Sequence, residues 1–176
     1  MNQVEEIIFR QASEDDVREI ILLAFSEMDG YLTVAYNGPF NWAKWESELR
    51  ETIYDQNHST PLQKSSIVNQ FTKVLIFELF EETIGFVWFS YYSDEIIWID
   101  SIILKPDFQR KGLGKYIMSR LESDFSKIFK YIDLGVQEEN KRAKKFYSNI
   151  GFYKLDDIAM SYYLTEHMRK KIEIED

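Results

Sequence analysis

The sequence predicts a single α/β domain in which helices pack on a mixed sheet. Its 176 residues, 45% of them hydrophobic, are enough for one domain with a substantial core. Some segments carry apolar residues at every third or fourth position, and others carry the apolar runs and alternations that are typical of strands. These segments follow one another in the order β, α, α, β, β, β, α, β, α, β, β, which indicates helices layered on a mixed sheet.

The first part of the chain predicts one strand and two helices. A short strand is expected over residues 7–10. Ser13 is the expected N-cap of the first helix, whose apolar face comprises Val17, Ile20, Ile21 and Ala24. Residues 28–40 are expected to form a loop because they contain Gly, Asn and Pro, and residues 42–54 a second helix. The polar stretch 55–66 is expected to be a mobile connection.

Strands dominate from Lys73 onward. Residues 73–80 and 83–92 predict a hairpin, and residues 95–104 a third strand that ends before Pro106. A helix is expected from about Gly112, with these apolar residues at helical spacing: Leu113, Ile117, Leu121, Phe125 and Ile128.

The C-terminal part predicts a strand over residues 131–137 and a helix over residues 140–151, which Gly151 closes. A final pair of strands is expected over residues 152–164. The remaining residues are rich in charge and are expected to be helical or disordered. We therefore assign residues 1–165 to one domain and residues 166–176 to a charged C-terminal tail.

The composition excludes several kinds of site. The sequence has no cysteine, which rules out disulfides, thiolate metal sites and cysteine nucleophiles. The two histidines, His58 and His167, lie far apart in sequence, so no metal is expected.

A net charge of −9 argues against nucleic-acid binding. The apolar runs are too short to cross a bilayer and the first residues contain no secretory leader, so a cytoplasmic location is expected.

One loop, FQRKGLGKYI (108–117), suits an anion. Unpaired amides at a helix start carry partial positive charge, and glycines let a phosphate approach the backbone. Arg110, Lys111 and Lys115 add positive charge. A surface loop that needs glycine for its turn is the more common explanation of such a pattern by itself. The Walker pattern is absent, and Ile117 occupies the third glycine position of the dinucleotide pattern.

Two segments together resemble the GNAT superfamily of N-acetyltransferases. Its acetyl-CoA-binding signature, Gln/Arg-x-x-Gly-x-Gly/Ala, is similar to QRKGLG (109–114). Its second conserved segment is similar to the spacing of Asn140, Ala143, Tyr147, Gly151 and Phe152. The likeness covers most of the chain and is weakest over residues 30–72. It implies the acyl-CoA N-acyltransferase fold, in which a mostly antiparallel sheet, flanked by helices, is splayed between its fourth and fifth strands. It also implies acetyl-CoA as cosubstrate, without a metal.

The resemblance further implies which residues bind acetyl-CoA. After a bulge, the backbone of the strand before the loop pairs with the pantetheine arm as an added strand would. Amides of the loop hold the pyrophosphate, and Asn140 contacts the pantetheine side. The implied set is Ile102, Ile103, Leu104, Gln109, Arg110, Lys111, Gly112, Leu113, Gly114, Lys115, Asn140, Lys144 and Tyr147.

Two residues are the catalytic candidates. In the family, the tyrosine that matches Tyr147 protonates the leaving thiolate; by pattern alone, Tyr147 is a core residue on the sheet-facing side of its helix. Where some relatives have a glutamate base, this chain has Trp98. Asp100 is the alternative base, and counting by twos places it on one strand face with Trp98 and Ile102. A structural role, bound to a backbone amide or a cation, is equally open for Asp100.

These features predict an N-acetyltransferase that transfers an acetyl group to a primary amine by direct attack, since no cysteine can carry the acyl group. The acceptor is a small molecule or a peptide, and the acidic composition weakly favours a polycation. The aromatic residues of segment 31–45 either line an amine pocket or belong to the core; Trp42 and Trp45 are assigned to the core. A non-catalytic acyl-CoA sensor and a protein-interaction module remain open, as does a homodimer.

Overall fold

The computed structural model describes residues 7–64, 66–156 and 164–173. Within these residues, seven strands form one sheet. The strands are β1 (Ile8–Gln11), β2 (Lys73–Leu79), β3 (Glu82–Ser93), β4 (Ile96–Leu104), β5 (Tyr131–Gln137), β6 (Tyr153–Lys154) and β7 (Thr165–Lys171).

Six α-helices accompany the sheet in the same part of the chain. They are α1 (Val17–Ala35), α2 (Trp42–His58), α3 (Pro61–Lys64), α4 (Ile67–Gln70), α5 (Leu113–Phe125) and α6 (Lys141–Asn149). A 3-10 turn that begins after Ser13 leads directly into α1, as the capping pattern predicts. No helix in the described ranges is long and apolar enough to span a bilayer.

The strands are ordered β1-β2-β3-β4-β5-β7-β6 across the sheet. Only β4 and β5 pair in parallel, and the other neighbours are antiparallel. The parallel pairing covers four positions, from Ile96 opposite Tyr131 to Ile99 opposite Leu134. The predicted fold is therefore confirmed, including the separation of the fourth and fifth strands.

The sheet has a hydrophobic cluster on each side. On one side, α5 and Tyr147 of α6 pack against strand residues such as Ile97 and Ile99. On the other, α1 and α2 pack against strand residues that include Phe86, Trp88 and Ile103. The two layers of helices hold the separated ends of β4 and β5 between them.

A β-bulge in β4 changes which side chains face each layer. Trp88 pairs with Ser101 and the next residue of β3 pairs with Ile99, so Asp100 is the extra residue. After the bulge, Ile102 packs in the α5 cluster and Ile103 in the α1–α2 cluster. The expectation that Asp100 shares a face with Ile102 is wrong, because alternation by twos fails across a bulge.

Three expected element boundaries are also wrong. Residues 28–40 are not all loop, since α1 continues to Ala35 and buries Leu32 and Ala35 at helical spacing. The connection 55–66 contains the last turn of α2 and all of α3. The helix that starts near Gly112 ends at Phe125, and Ile128 is exposed.

The charged segment expected to be helical or disordered forms β7. It pairs along its whole length with β5, and its Arg169 forms two hydrogen bonds with the buried Asp133, each 2.7 Å long. This pairing lets a strand with few apolar residues join the sheet. Of the strand pair expected over residues 152–164, Tyr153–Lys154 is a strand, and residues 157–163 lie outside the described ranges.

Candidate active site

A cleft of about 590 Å³ opens where β4 and β5 separate. Its two sides are the segments that follow the last shared pair, Ile99 and Leu134. Residues of α1, α5 and α6 complete the lining. The separation leaves the β5-facing backbone of β4 beyond Ile99 without a neighbouring strand, so an extended ligand can pair with it as an added strand.

The glycine loop forms one end of the cleft. Gly112 has a φ of 81°, which favours glycine, and it directly precedes α5. The first backbone bond of this helix runs from Tyr116 to Gly112. The amides of Leu113, Gly114 and Lys115 therefore have no partner inside the helix, and they carry its positive partial charge. This arrangement can hold an anion.

Most predicted loop residues line the cleft. The lining includes side-chain or backbone atoms of Gln109, Arg110, Gly112, Gly114 and Lys115. The side chain of Leu113 is instead buried in the α5 cluster, so only its amide can serve a ligand. Lys111 lies over the ring of Phe108, 5.6 Å from the centroid, and is not in the lining.

Gly114 is packed against α6. A Cβ atom built at Gly114 would lie 3.3 Å from Cζ of Phe146, closer than an ordinary van der Waals contact. Both residues line the cleft. A larger side chain at this position would therefore displace Phe146 or fill the cleft floor.

The strand residues predicted to bind pantetheine, Ile102, Ile103 and Leu104, all line the cleft. On the opposite side, Asn140 lines it and caps α6, since its Oδ1 accepts a 3.1 Å hydrogen bond from the amide of Ala143. Lys144 is not in the lining, and its ammonium lies 2.8 Å from Glu166.

Tyr147 of α6 lines the cleft although it is only 8% exposed. Its ring packs between Phe146 and Phe152. Among the described residues, none forms a hydrogen bond with its hydroxyl. Burial raises the pKa of Tyr147 well above the ordinary value for a phenol, so the group is held protonated.

Asp100 occupies the bulge at the opening of the cleft. Its side chain is exposed to solvent, and desolvation by the neighbouring protein atoms raises the pKa of Asp100 to about 6. The Ser90 hydroxyl donates a hydrogen bond to Oδ2 and opposes that rise, whereas the carboxylate of Glu48 adds to it. The carboxyl group therefore changes its protonation state just below neutral pH.

Several cleft residues were missed in the sequence, among them Glu27 of α1. Tyr31, for which a place in a pocket and a place in the core were both open, lines the cleft one helical turn further along α1. Oε2 of Glu27 accepts a 3.1 Å hydrogen bond from Gln109 and lies 3.7 Å from Arg142, so it joins α1, the glycine loop and α6. The i, i+4 spacing of Glu27 and Tyr31 would have indicated this face, had the helix been predicted to continue.

The tryptophans near the start of α2 lie outside the cleft lining. Trp45 is in the α1–α2 cluster, and Trp42 packs against it while donating a 2.6 Å hydrogen bond to Asp29. Their assignment to the core is confirmed. Trp98 contacts the ring of His167 and does not line the cleft.

Comparisons with known proteins match this architecture. Residues 33–152 match the sequence model of the acetyltransferase (GNAT) family. PaiA N-acetyltransferase from Thermoplasma acidophilum, solved with coenzyme A, is 22% identical, with a TM-score of 0.60 over 94% of this chain and 98% of that one. Spermidine N-acetyltransferase from Vibrio cholerae, solved with CoA and spermine, is 18% identical, with a TM-score of 0.66 over 97% and 98%. An acetyltransferase from Thermus thermophilus is 15% identical, with a TM-score of 0.68 over 96% and 98%.

Proposed function

Because the chain belongs to the acetyltransferase (GNAT) family, we propose that it transfers an acetyl group from acetyl-CoA to a primary amine of a small molecule or peptide. The observation that carries this proposal is the cleft between β4 and β5. Its lining combines a helix start with free backbone amides, an unpaired strand backbone, the carboxyl group of Asp100 and the phenol of Tyr147. Each of these features meets a different requirement of the reaction.

Two parts of the cleft support acetyl-CoA as its ligand. The amides of Leu113, Gly114 and Lys115, with the cations of Arg110 and Lys115 beside them, suit a pyrophosphate. The backbone of Ile102–Leu104 suits the amide groups of a pantetheine arm, which can pair with it as a strand. An amide of the same segment would stabilise the oxyanion that forms when the thioester is attacked.

Asp100 is the proposed general base. At neutral pH its carboxyl group is largely ionised, since its pKa is about 6. It can therefore accept the proton that the amine must lose, directly or through water. The hydrogen bond from Ser90 holds one carboxylate oxygen in a fixed position.

Tyr147 is the proposed general acid. Its phenol remains protonated because the site is buried, and it lines the cleft with no hydrogen-bond partner among the described residues. A neutral phenol can donate a proton to the thiolate of CoA as it leaves. The attack is direct, because the chain has no cysteine to carry an acyl group.

A cationic acceptor fits the charge near the base. Asp100 lies close enough to Glu48 for the two carboxyl groups to interact. The chain as a whole carries a net charge of −9, and a solved neighbour binds spermine. Polyamines are therefore included among the first acceptors to test, together with amino acids and basic peptides.

The experiment is a CoA-release assay with purified protein, acetyl-CoA and three amines: spermidine, lysine and a lysine-containing tripeptide. A thiol reagent measures CoA, and mass spectrometry measures the acetylated product. The proposal expects release that depends on the amine and equals the product formed. Saturable acetyl-CoA binding without release for any amine would contradict it and would favour a non-catalytic acyl-CoA-binding protein.

A further inference from the structure

Ser101 has a buried hydroxyl with no partner. The residue is 6% exposed, and its Oγ forms no hydrogen bond with any residue that the structure describes. Leaving such a group unpaired costs free energy, because it has lost its hydrogen bonds with water. Trp88, its cross-strand neighbour, also has an unpaired Nε1, but Trp88 packs against Trp45 outside the cleft. Ser101, in contrast, lines the cleft.

The bulge places Ser101 and Asp100 on the same side of β4. Asp100 faces the α1–α2 side, because it accepts a hydrogen bond from Ser90 and interacts with Glu48 of α2. Ser101 faces that side too, since it alternates with Ile102, whose side chain packs in the α5 cluster. Two consecutive residues of a regular strand would point in opposite directions. Here the extra residue of the bulge brings a carboxylate and a hydroxyl next to each other.

Two such groups together can orient an attacking amine. Its lone pair must point at the carbonyl carbon of the thioester, so its N–H bonds point away from that carbon. A single acceptor leaves the amine free to rotate about that hydrogen bond, whereas two adjacent acceptors fix the direction of the lone pair. The Ser101 hydroxyl can accept one N–H bond while the Asp100 carboxylate accepts the other.

We propose that Ser101 Oγ, together with Asp100, binds the reacting nitrogen of the acceptor and orients its lone pair. This role rests on the proposed acetyl transfer and adds an amine-binding residue to it. When the acceptor binds, one of its N–H groups donates to the unpaired Ser101 hydroxyl and so supplies the missing hydrogen bond.

The test uses three variants of the full chain. Ser101→Ala removes the hydroxyl. Ser101→Thr and Ser101→Val have the same shape and differ only in whether a hydroxyl is present, so any cost of the added methyl groups is common to both. The acceptor is whichever of spermidine, lysine and the lysine tripeptide the wild-type protein acetylates with the highest kcat/KM.

For Ser101→Ala, kcat/KM for the amine is expected to fall roughly tenfold or more, the loss of one hydrogen bond to a polar substrate group. The affinity for acetyl-CoA should stay unchanged, and the melting temperature should equal or exceed that of the wild type, because an unpaired group is removed. Ser101→Thr should retain at least several times the kcat/KM of Ser101→Val.

Two kinetic results would overturn the inference while leaving acetyl transfer in place. One is an unchanged kcat/KM in Ser101→Ala, and the other is equal activity of the Thr and Val variants. A clear fall in melting temperature for Ser101→Ala would also overturn it, since the hydroxyl would then have a structural partner such as a buried water. If the wild-type protein acetylates none of the three amines, the proposed function fails and the inference fails with it.

Discussion

Ile99 of β4 and Leu134 of β5 are the last pair that the two strands share before they separate. The next residue of β4, Asp100, is the extra residue of the bulge. The bulge and the separation therefore occur at one point, and the candidate base lies at the opening that they create. The glycine loop and Tyr147 lie along the same cleft, so the proposed chemistry follows from this single irregularity in the sheet.

Tyr147→Phe is expected to lower the rate of acetyl transfer about a hundredfold, the usual contribution of a general acid. The packing of the ring against Phe146 and Phe152 is kept, so acetyl-CoA affinity and melting temperature should not change. Single-turnover kinetics measure the chemical step directly. Tyr153→Phe, at an exposed tyrosine of β6, is the control. An unchanged chemical step in Tyr147→Phe would remove its role as the acid.

The activity should depend on the ionisation of Asp100. A general base works when it is deprotonated, so kcat/KM should fall as the pH drops through about 6, the pKa to which desolvation raises this carboxyl group. Asp100→Asn should abolish this dependence and most of the activity. Ser90→Ala should shift the fall to higher pH, because the Ser90 hydrogen bond stabilises the carboxylate.

The control for these pH profiles is Asp94→Asn, in the turn between β3 and β4. This variant should keep the wild-type profile. If Ser90→Ala left the profile where it is, or moved it to lower pH, Asp100 would not be the group that titrates.

Gly114→Val should weaken acetyl-CoA binding by at least tenfold, as measured by isothermal titration calorimetry. A side chain at Gly114 points at Phe146, 3.3 Å from its Cζ, and occupies the floor of the cleft. Gly38→Val is the matched control, because no atom lies within 4 Å of a Cβ built there. Wild-type affinity in a folded Gly114→Val protein would show that CoA binds elsewhere.

The buried ion pair that holds β7 to β5 should matter for stability. Asp133 is 1% exposed, and its carboxylate binds Arg169 through two hydrogen bonds and lies 2.8 Å from Nε2 of His167. Asp133→Asn should lower the free energy of unfolding by about 3 kcal/mol, the typical cost of breaking a buried pair. Urea denaturation measures this difference.

The same substitution at an exposed pair provides the comparison. Asp124 lies 3.7 Å from Arg120 on the surface of α5, and both side chains are about half exposed. Asp124→Asn should change the free energy of unfolding by less than about 1 kcal/mol. Equal effects of the two substitutions would mean that the buried pair contributes no more than a surface pair.

The sequence predicted the elements whose burial follows a regular period. The apolar face of α5 and the strands β2 to β5 are of this kind, and the two motif segments located the glycine loop and α6. Strand β7 was missed because its side chains His167 and Arg169 are polar, and their partner Asp133 is distant in sequence. No local pattern in residues 165–171 reveals a partner 34 to 36 positions earlier.

The cleft itself was only partly predictable. Asp100 and Tyr147 were identified, and both line it. Ser101 was overlooked because strand alternation would turn its side chain away from Asp100, and a bulge has no reliable sequence signal. Glu27 and Tyr31 lay near or within a segment expected to be loop, since Gly30 disfavours a helix locally. Burial of Leu32 and Ala35 outweighs that preference.

The most direct test of acetyl transfer by this protein is a single turnover with acetyl-CoA that carries a ¹³C-labelled acetyl group. Purified protein in excess is mixed with labelled acetyl-CoA and one amine, and mass spectrometry follows the label on CoA, on the amine and on the protein. Direct transfer predicts that the label moves from CoA to the amine without appearing on the protein. Label that stays on CoA with every amine, although acetyl-CoA is bound, would contradict it.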